Sequence, residues 1–164
     1  MRQSTLETPT MVRTLTLFCA LLLLGVANGC SSRSPSVTLK DSAGLQAEYH
    51  VETTRLTLPP GSIFPPRASE GDAGSFEAGV GQGDADFYWM CAWVDRWLAT
   101  QKSDPAAATR ALRALDAAPG LPVWPHWDEA GHRALLGAIT DARAGQRGAM
   151  QGLSQGLGCA GPAT

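Results

Sequence analysis

Two histidines and two carboxylates lie within seven residues of one another and are candidate metal ligands: His126, Asp128, Glu129 and His132. Asp128 and His132 are four residues apart, so on a helix they would share one face, and imidazole and carboxylate both bind zinc. The spacing matches no metal-site motif, and Asp128 is equally explained as a helix N-cap. His132 falls on the apolar side of that helix, where a hydrogen-bonded core histidine is the usual outcome. We therefore predict no metal and no other cofactor.

Nucleophilic catalysis has little support in the sequence. The serines lie mostly in polar or irregular stretches. Ser154 stands in a G-x-S-x-G sequence, residues 152–156, but that sequence falls within a predicted helix and not at the strand-to-helix turn of a nucleophile elbow. The chain contains no H-E-x-x-H sequence, no P-loop and no C-x-x-C pair. We expect a binding or interaction protein rather than an enzyme. The alternative is a secreted or envelope hydrolase with an unidentified active site.

Trp124, His126 and Trp127 form a candidate ligand patch. They lie on a segment that Pro122 and Pro125 stiffen. Partly exposed indole rings stack on sugar rings or accommodate a peptide, which favours a binding function. The alternative interpretation is that the two indoles simply cover the end of a helical bundle.

The N-terminal region has the pattern of an export signal. Arg13 precedes an apolar run that ends at Ala27, and this run is shorter than the about 20 residues that cross a bilayer. Small residues, Ala27 and Gly29, then precede Cys30. Over residues 11–33 the arrangement resembles the signal peptide and lipobox of bacterial lipoproteins. The resemblance implies cleavage before Cys30, a thioether-linked diacylglycerol on its sulfur, acylation of its amine, and an extracytoplasmic protein attached to the cell membrane by lipid.

The small residues before Cys30 also satisfy the rule for ordinary secretory cleavage, so simple secretion stays open. Cysteine parity bears on the choice. Cleavage removes Cys19 and leaves three cysteines, of which one would remain unpaired in an oxidising compartment. If Cys30 carries lipid, Cys91 and Cys159 are left as one disulfide pair.

Charge excludes one class of partner. Residues 30–164 contain 11 Lys plus Arg and 14 Asp plus Glu, a formal net charge of −3. Nucleic-acid binding needs clustered cations, whereas these are scattered among acids, so no nucleic acid is expected. Two or more acyl chains anchor a protein without help from its surface. The expected partners are the membrane, through lipid on Cys30, and an envelope protein, peptide or glycan.

The sequence divides into three parts. Residues 1–29 form the signal peptide, with Met11 as an alternative start, and residues 30–45 form the lipid anchor and a polar tether. Residues 46–164 are long enough for one globular domain. Within that domain, prolines and glycines over 59–84 predict an irregular loop that is mobile or loosely packed. The large apolar residues available to hold this loop on the core are Ile63, Phe64 and Phe76.

A short β element is expected before the loop. Tyr49–Leu58 alternates its side chains and is rich in threonine, which predicts a β-strand. Residues 37–39 could pair with it as a hairpin, which would have to pack on helices because a two-stranded hairpin alone is marginal in water.

A tryptophan-rich helix is predicted over 87–100, with Asp84 or Asp86 as its N-cap. Its apolar residues cover more than half of the circumference and include Trp89, Trp93 and Trp97. Leaving three indoles in water would forfeit several kcal/mol at ~25 cal/mol per Å², so this helix is expected at the centre of the bundle.

Two further helices have clear start signals. Asp104 followed by Pro105 predicts a surface helix over 106–118, because proline is favoured directly after an N-cap. Residues 121–127 are predicted to be an extended connector, and a third helix is predicted over 128–144.

The last predicted helix, over 146–157, carries glycine at every fourth position: Gly148, Gly152 and Gly156. Each glycine costs ~1 kcal/mol in helix propensity, so this face is expected to dock closely on the tryptophan-rich helix, joined to it by a Cys91–Cys159 bridge. The predicted fold class is mainly α (α+β): a small disulfide-linked bundle of about four helices with a short N-terminal β-strand or hairpin.

Overall fold

A computed structural model describes residues 37–69 and 74–159 and shows the predicted mainly α fold. In chain order the elements are β1 (Leu39–Lys40), α1 (Ser42–Arg55), β2 (Phe76–Glu77), α2 (Val80–Thr100), α3 (Pro105–Leu115), α4 (Glu129–Arg143) and α5 (Arg147–Gly156). The described part of the chain thus holds five helices, one more than predicted. The signal peptide and Cys30 lie outside the described residues.

Helix α1 corrects the prediction of a β-strand over Tyr49–Leu58, and it begins inside the segment assigned to the tether. The Asp41 side chain caps it by accepting a hydrogen bond from the Gly44 backbone amide. Leu45 and Tyr49 lie one turn apart on its buried face. The threonine hydroxyls near its end donate to backbone carbonyls three residues earlier, so they are satisfied within the helix rather than in a sheet.

The β element is smaller than predicted and has a different partner. Leu39 and Lys40 pair antiparallel with Phe76 and Glu77, in the register Leu39 to Glu77. The strand predicted near residues 37–39 therefore exists, but it pairs with a segment inside the predicted loop of residues 59–84 rather than with residues 49–58.

Helix α2 begins seven residues before the predicted start. Gly79 precedes it with φ 97°, and the Gly79 amide donates to the Glu48 carboxylate of α1. At Gly81 the two helices touch so closely that an added Cβ would lie 2.2 Å from the Leu45 carbonyl oxygen. Neither Asp84 nor Asp86 caps this helix, since both lie within it.

The three indoles of α2 are buried, as predicted, and α2 contacts α1, α3 and α5. Trp89 and Trp93 both donate from Nε1 to the Thr57 carbonyl oxygen, at 2.9 and 3.0 Å. This shared acceptor satisfies two buried N–H groups and holds the chain beyond α1 against α2.

The predicted N-caps of α3 and α4 are confirmed. Asp104 accepts from the Ala107 amide and Asp128 from the Gly131 amide, each three residues ahead. The connector between these helices is not extended as predicted, because it forms two 3-10 turns at Ala118–Gly120 and Trp124–His126.

Helix α5 is joined to α2 by the predicted disulfide: Cys91 and Cys159 are bonded, with their Cα atoms 5.2 Å apart. The predicted docking of the glycine face is wrong. Gly148, Gly152 and Gly156 are exposed, and an added Cβ at any of them would meet nothing within 4 Å. Helix α5 packs instead through Met150 and its buried neighbours Leu153 and Ser154.

Candidate functional site

Two residues of the predicted ligand patch belong to a line of four aromatic rings, which we call the aromatic row: Phe87, Trp127, Trp124 and His132. Successive ring centroids are 5.6, 6.0 and 4.0 Å apart. Trp124 and Trp127 are half-buried and pack against the core, so they cover the end of the bundle while keeping part of their rings accessible. His126 is exposed and lies outside the row.

His132 is satisfied by local partners. Its ring stacks on Trp124 at an interplanar angle of 12°, and its Nε2 lies 2.9 Å from the Trp124 carbonyl oxygen. In the part of the chain that the structure describes, no group of three or more His, Cys, Asp or Glu is placed to hold a metal ion. The structure thus does not bring His126, Asp128, Glu129 and His132 together into such a group.

One large cavity is not predicted by the sequence, and we call it the polar cleft. It has a volume of about 810 Å³ and lies between residues 60–69, one face of α2 and residues 157–159. Its hydroxyl and charged side chains are Tyr49, Ser62, Arg67, Ser69, Asp84, Tyr88, Asp95 and Arg96. These residues are dispersed along the sequence, so no local sequence motif predicts the cleft.

The outer wall of the polar cleft is held by side chains that bind its backbone. The Tyr88 hydroxyl donates to the Ile63 carbonyl oxygen at 2.7 Å, and the Tyr49 hydroxyl donates to the Pro65 carbonyl oxygen at 2.9 Å. The Ser69 amide and hydroxyl both donate to the Asp84 carboxylate, at 2.7 and 2.6 Å. Residues 59–69 are irregular as predicted, whereas the later part of the predicted loop contains β2 and the start of α2. The hydrogen bonding of residues 63–69 does not fit the predicted loose packing.

The apolar residues of the loop divide into two kinds. Phe64 packs on the core, with its ring centroid 6.4 Å from that of Tyr49 and 5.4 Å from that of Tyr88. Ile63 was predicted to be available to hold the loop on the core. Its side chain is 81% exposed and does not do so. The backbone of Ile63, rather than its side chain, makes the attachment.

One face of α2 forms the floor of the polar cleft. Asp84, Tyr88, Cys91, Asp95 and Ala99 follow one another at intervals of three or four residues and all line it. Because Cys91 is bonded to Cys159, the disulfide forms part of the cleft lining and fixes the residues after α5 against this face.

Electrostatics distinguish two groups in the polar cleft. Burial raises the pKa of Asp95, an effect opposed by the Ser154 hydroxyl, which lies 3.5 Å from the carboxylate. Burial and the nearby Asp84 charge raise the pKa of Tyr49 to about 12, so this phenol stays a neutral donor at physiological pH. Arg96, the residue after Asp95 on α2, also lines the polar cleft, so residues of both charge signs border it.

The geometry fits binding better than two-carboxylate hydrolysis. Asp84 and Asp95 are eleven residues apart on one helix, which separates their Cα atoms by roughly 16 Å at 1.5 Å per residue. Glycosidase carboxyl pairs are only about 5 to 9.5 Å apart. Asp84 is also engaged by Ser69. Cys91 and Cys159 are not free thiols, so neither is a nucleophile in this state.

A second cavity, of about 620 Å³, lies between α4 and α5, and we call it the apolar groove. Its small side chains and glycines come from both helices, and Phe87 and Trp127 of the aromatic row also line it. The small and glycine residues are Gly131, Ala134, Gly137, Ala138, Ala149, Gly152 and Gly156. Arg133 and Asp141 of α4 are its charged residues.

Glu52 of α1 and Asp86 of α2 form a buried acid pair that the sequence did not reveal. Both residues have no exposed surface, and one oxygen of each carboxylate has no hydrogen-bond partner. The other oxygen of Glu52 pairs with Arg55, and the other oxygen of Asp86 accepts from the Val123 amide. Burial, with the Glu52 charge adding to it, raises the pKa of Asp86 to about 6.

Comparison with known proteins gives no family assignment. No protein-family model, curated protein or solved structure matches the chain. Across residues 37–69 and 74–159, none of the helices combines the length and hydropathy needed to cross a membrane.

Proposed function

We propose that this protein is an extracytoplasmic lipoprotein, anchored to the cell membrane through lipid on Cys30, that acts as a binding module at the cell envelope. The resemblance of residues 11–33 to a lipoprotein signal supports the proposed extracytoplasmic, lipid-anchored location. The Cys91–Cys159 disulfide fits an oxidising compartment, where such bonds persist. With that pair formed, Cys30 is the remaining cysteine of a chain cleaved before it, as the parity argument requires.

The anchor is tested by growing cells that express the full chain with alkyne-tagged palmitate. Labelling is expected for the natural sequence and is expected to disappear in Cys30→Ala. Cys19→Ala is the matched control, because Cys19 departs with the signal peptide and its loss leaves labelling intact. Equal labelling of Cys30→Ala and the natural chain would contradict the anchor.

The ligand site in this proposal is the polar cleft. The observation that carries the proposal is that a carboxylate residue, Asp95, and a guanidinium residue, Arg96, both line the polar cleft, a cavity of about 810 Å³. A preformed cavity with a few placed polar groups is the usual form of a ligand site. The bonds from Tyr88 and Tyr49 to the opposite wall keep that wall in position before a ligand binds.

The preferred ligand is a short peptide segment of an envelope component. A peptide supplies N–H groups and cations for Asp95, and carbonyl or carboxylate oxygens for the five donors of Arg96. A neutral glycan offers no charge to either group, and a charged group that loses water without gaining a partner costs free energy. The ring surfaces of Phe87 and Tyr88 provide apolar contact at the same cleft.

Peptide binding is tested by selecting from a random heptapeptide phage library on the purified full chain and measuring the affinity of the selected peptides by fluorescence anisotropy. In Asp95→Asn and Arg96→Ala the Kd is expected to rise about tenfold each, which corresponds to about 1.4 kcal/mol. Arg110→Ala, an exposed change on α3, is the control and leaves the Kd unchanged. Failure to enrich any peptide, or equal affinity for all variants, would overturn the assignment of the cleft. The palmitate result is independent of this outcome.

A further inference from the structure

The outward face of α4 carries a strip of small residues. Ala130, Ala134, Gly137 and Ala144 are all exposed, and a Cβ added at Gly137 would meet nothing within 4 Å. Exposed helix faces ordinarily carry long polar side chains, and glycine there costs ~1 kcal/mol relative to alanine. Small residues allow another helix to approach closely. This face also forms one side of the apolar groove, in which Gly152 and Gly156 leave open space on the α5 side.

The sequence of this face is symmetric about Gly137 at two pairs of positions. Four residues before it lies Arg133 and four residues after it lies Asp141, both at the apolar groove. Seven residues before and after it lie Ala130 and Ala144, both exposed. A two-fold axis at Gly137 that ran two copies of α4 antiparallel would therefore place opposite charges together and small residues together.

We propose that a second copy of this chain docks on this face, with the two α4 helices antiparallel and crossing at Gly137. The interface is isologous, so one set of residues supplies both sides. Arg133 of each copy meets Asp141 of the other, which gives two ion pairs about 12 Å apart along the helix at 1.5 Å per residue. The partner's α4 occupies the apolar groove above Gly152 and Gly156, so α4 and α5 of both copies form a four-helix arrangement.

Charge complementarity selects this occupant and its orientation. In a parallel pair crossing at the same residue, Arg133 would face Arg133 and Asp141 would face Asp141, and like charges brought together oppose association. In the antiparallel pair every charge meets its opposite. Within each chain, the Arg133 guanidinium donates one hydrogen bond to Glu129, at 2.8 Å. A guanidinium has five N–H donors, so Arg133 retains donors for Asp141 of the partner copy. The ion pairs set orientation, while the apolar groove supplies the buried area.

The decisive test is a disulfide cross-link at the two-fold axis. The full chain carrying Gly137→Cys is expressed, its membranes are oxidised with copper phenanthroline, and dimers are quantified on a non-reducing gel. A residue on the axis meets its own copy, so Gly137→Cys is expected to give a covalent homodimer. Ala106→Cys, an exposed alanine on α3, is the matched control and should stay monomeric, as should the natural chain.

Charge exchange separates docking from a general effect on folding. In the Gly137→Cys background, Arg133→Asp alone and Asp141→Arg alone should each reduce the dimer yield by about tenfold or more, because each places like charges across the interface. The double variant Arg133→Asp with Asp141→Arg exchanges the two charges and should restore the yield. Absence of a dimer with Gly137→Cys, equal dimer with Ala106→Cys, a cross-link to a different protein, or failure of the double variant to recover would each overturn the proposal.

Discussion

The Asp86 carboxylate accepts a hydrogen bond from the Val123 backbone amide at 2.9 Å, deep in the molecule where Asp86 has no exposed surface. This contact ties α2 to the connector directly before Trp124. Phe87, the next residue on α2, has its ring centroid 5.6 Å from that of Trp127. Asp86 of the buried acid pair thus directly precedes Phe87 of the aromatic row, and its partner Val123 directly precedes Trp124. We therefore expect the protonation state of Asp86 to affect the folding stability of the end of the bundle that holds the aromatic row.

The first prediction concerns pH. Because the folded-state pKa of Asp86 is about 6, above its ordinary 3.8, the folded state favours the neutral acid. The stability that this provides is fully present below about pH 4 and is lost as pH rises through about 6. Asp86→Asn keeps an acceptor for Val123 and removes the charge. Its unfolding free energy relative to the natural chain should rise by about 2 kcal/mol between pH 4.5 and 7.5, as urea titrations would measure.

Glu77→Gln is the control for this experiment, since Glu77 is an exposed carboxyl on β2. Its unfolding free energy relative to the natural chain should show no comparable change over the same interval. A difference between Asp86→Asn and the natural chain that stays constant from pH 4.5 to 7.5 would contradict the assignment of a raised pKa to Asp86.

The second prediction concerns the contact between α1 and α2. In Gly81→Ala the new Cβ would lie 2.2 Å from the Leu45 carbonyl oxygen, so the helices must separate, and we expect a loss of about 3 kcal/mol or more in unfolding free energy. Gly83→Ala is a matched change one half-turn away. There the Cβ would lie 3.5 Å from a Val123 methyl group, an ordinary contact, so improved helix propensity should make the variant neutral or more stable by up to about 1 kcal/mol. Equal denaturation midpoints would show that the helices do not touch at Gly81.

Local signals explain which elements the sequence predicted. The Asp104-Pro105 start of α3, the Asp128 cap of α4 and the tryptophan spacing of α2 all act within a few residues, and each predicted helix is present. Helix α1 was missed because polar residues occupy its inner face. Glu48 binds the Gly79 amide, and Gln46 binds the Ala68 amide. Partners at such separations in sequence leave no periodic pattern.

The candidate site was predictable only in part. Cysteine parity predicted the disulfide, and aromatic composition predicted the accessible indoles of Trp124 and Trp127. The polar cleft was not predictable, because it depends on the tyrosines that bind the backbone at Ile63 and Pro65. Docking of the α5 glycine face failed as a prediction because small residues allow close approach without specifying which surface approaches.

The third prediction concerns the disulfide. Removing it in the double variant Cys91→Ala with Cys159→Ala should lower the unfolding free energy by ~4 kcal/mol, since the bond closes a 68-residue loop in the unfolded chain. Reduction of the natural chain should give the same loss, which controls for the effect of the substitutions themselves. An unchanged denaturation midpoint under both treatments would contradict a stabilising role.

The fourth prediction concerns the outer wall of the polar cleft. Tyr88→Phe removes the hydroxyl that donates to the Ile63 carbonyl oxygen and keeps the ring. We expect a loss of about 1 kcal/mol in stability and faster amide hydrogen exchange within residues 60–69. Affinity for peptides selected on the natural chain should also weaken. Thr109→Ala is the control, because it removes a similar exposed hydroxyl bond on α3, and exchange in residues 60–69 should then be unchanged.

The proposed location and binding role depend on a mature protein that begins at a lipid-bearing Cys30. The direct measurement is mass spectrometry of the N-terminal peptide of the full chain recovered from a bacterial membrane fraction. We expect a peptide that starts at Cys30 and carries the mass of a diacylglycerol, with or without a further acyl chain. A peptide that starts at Met1 or Met11, or an unmodified Cys30, would contradict the proposal.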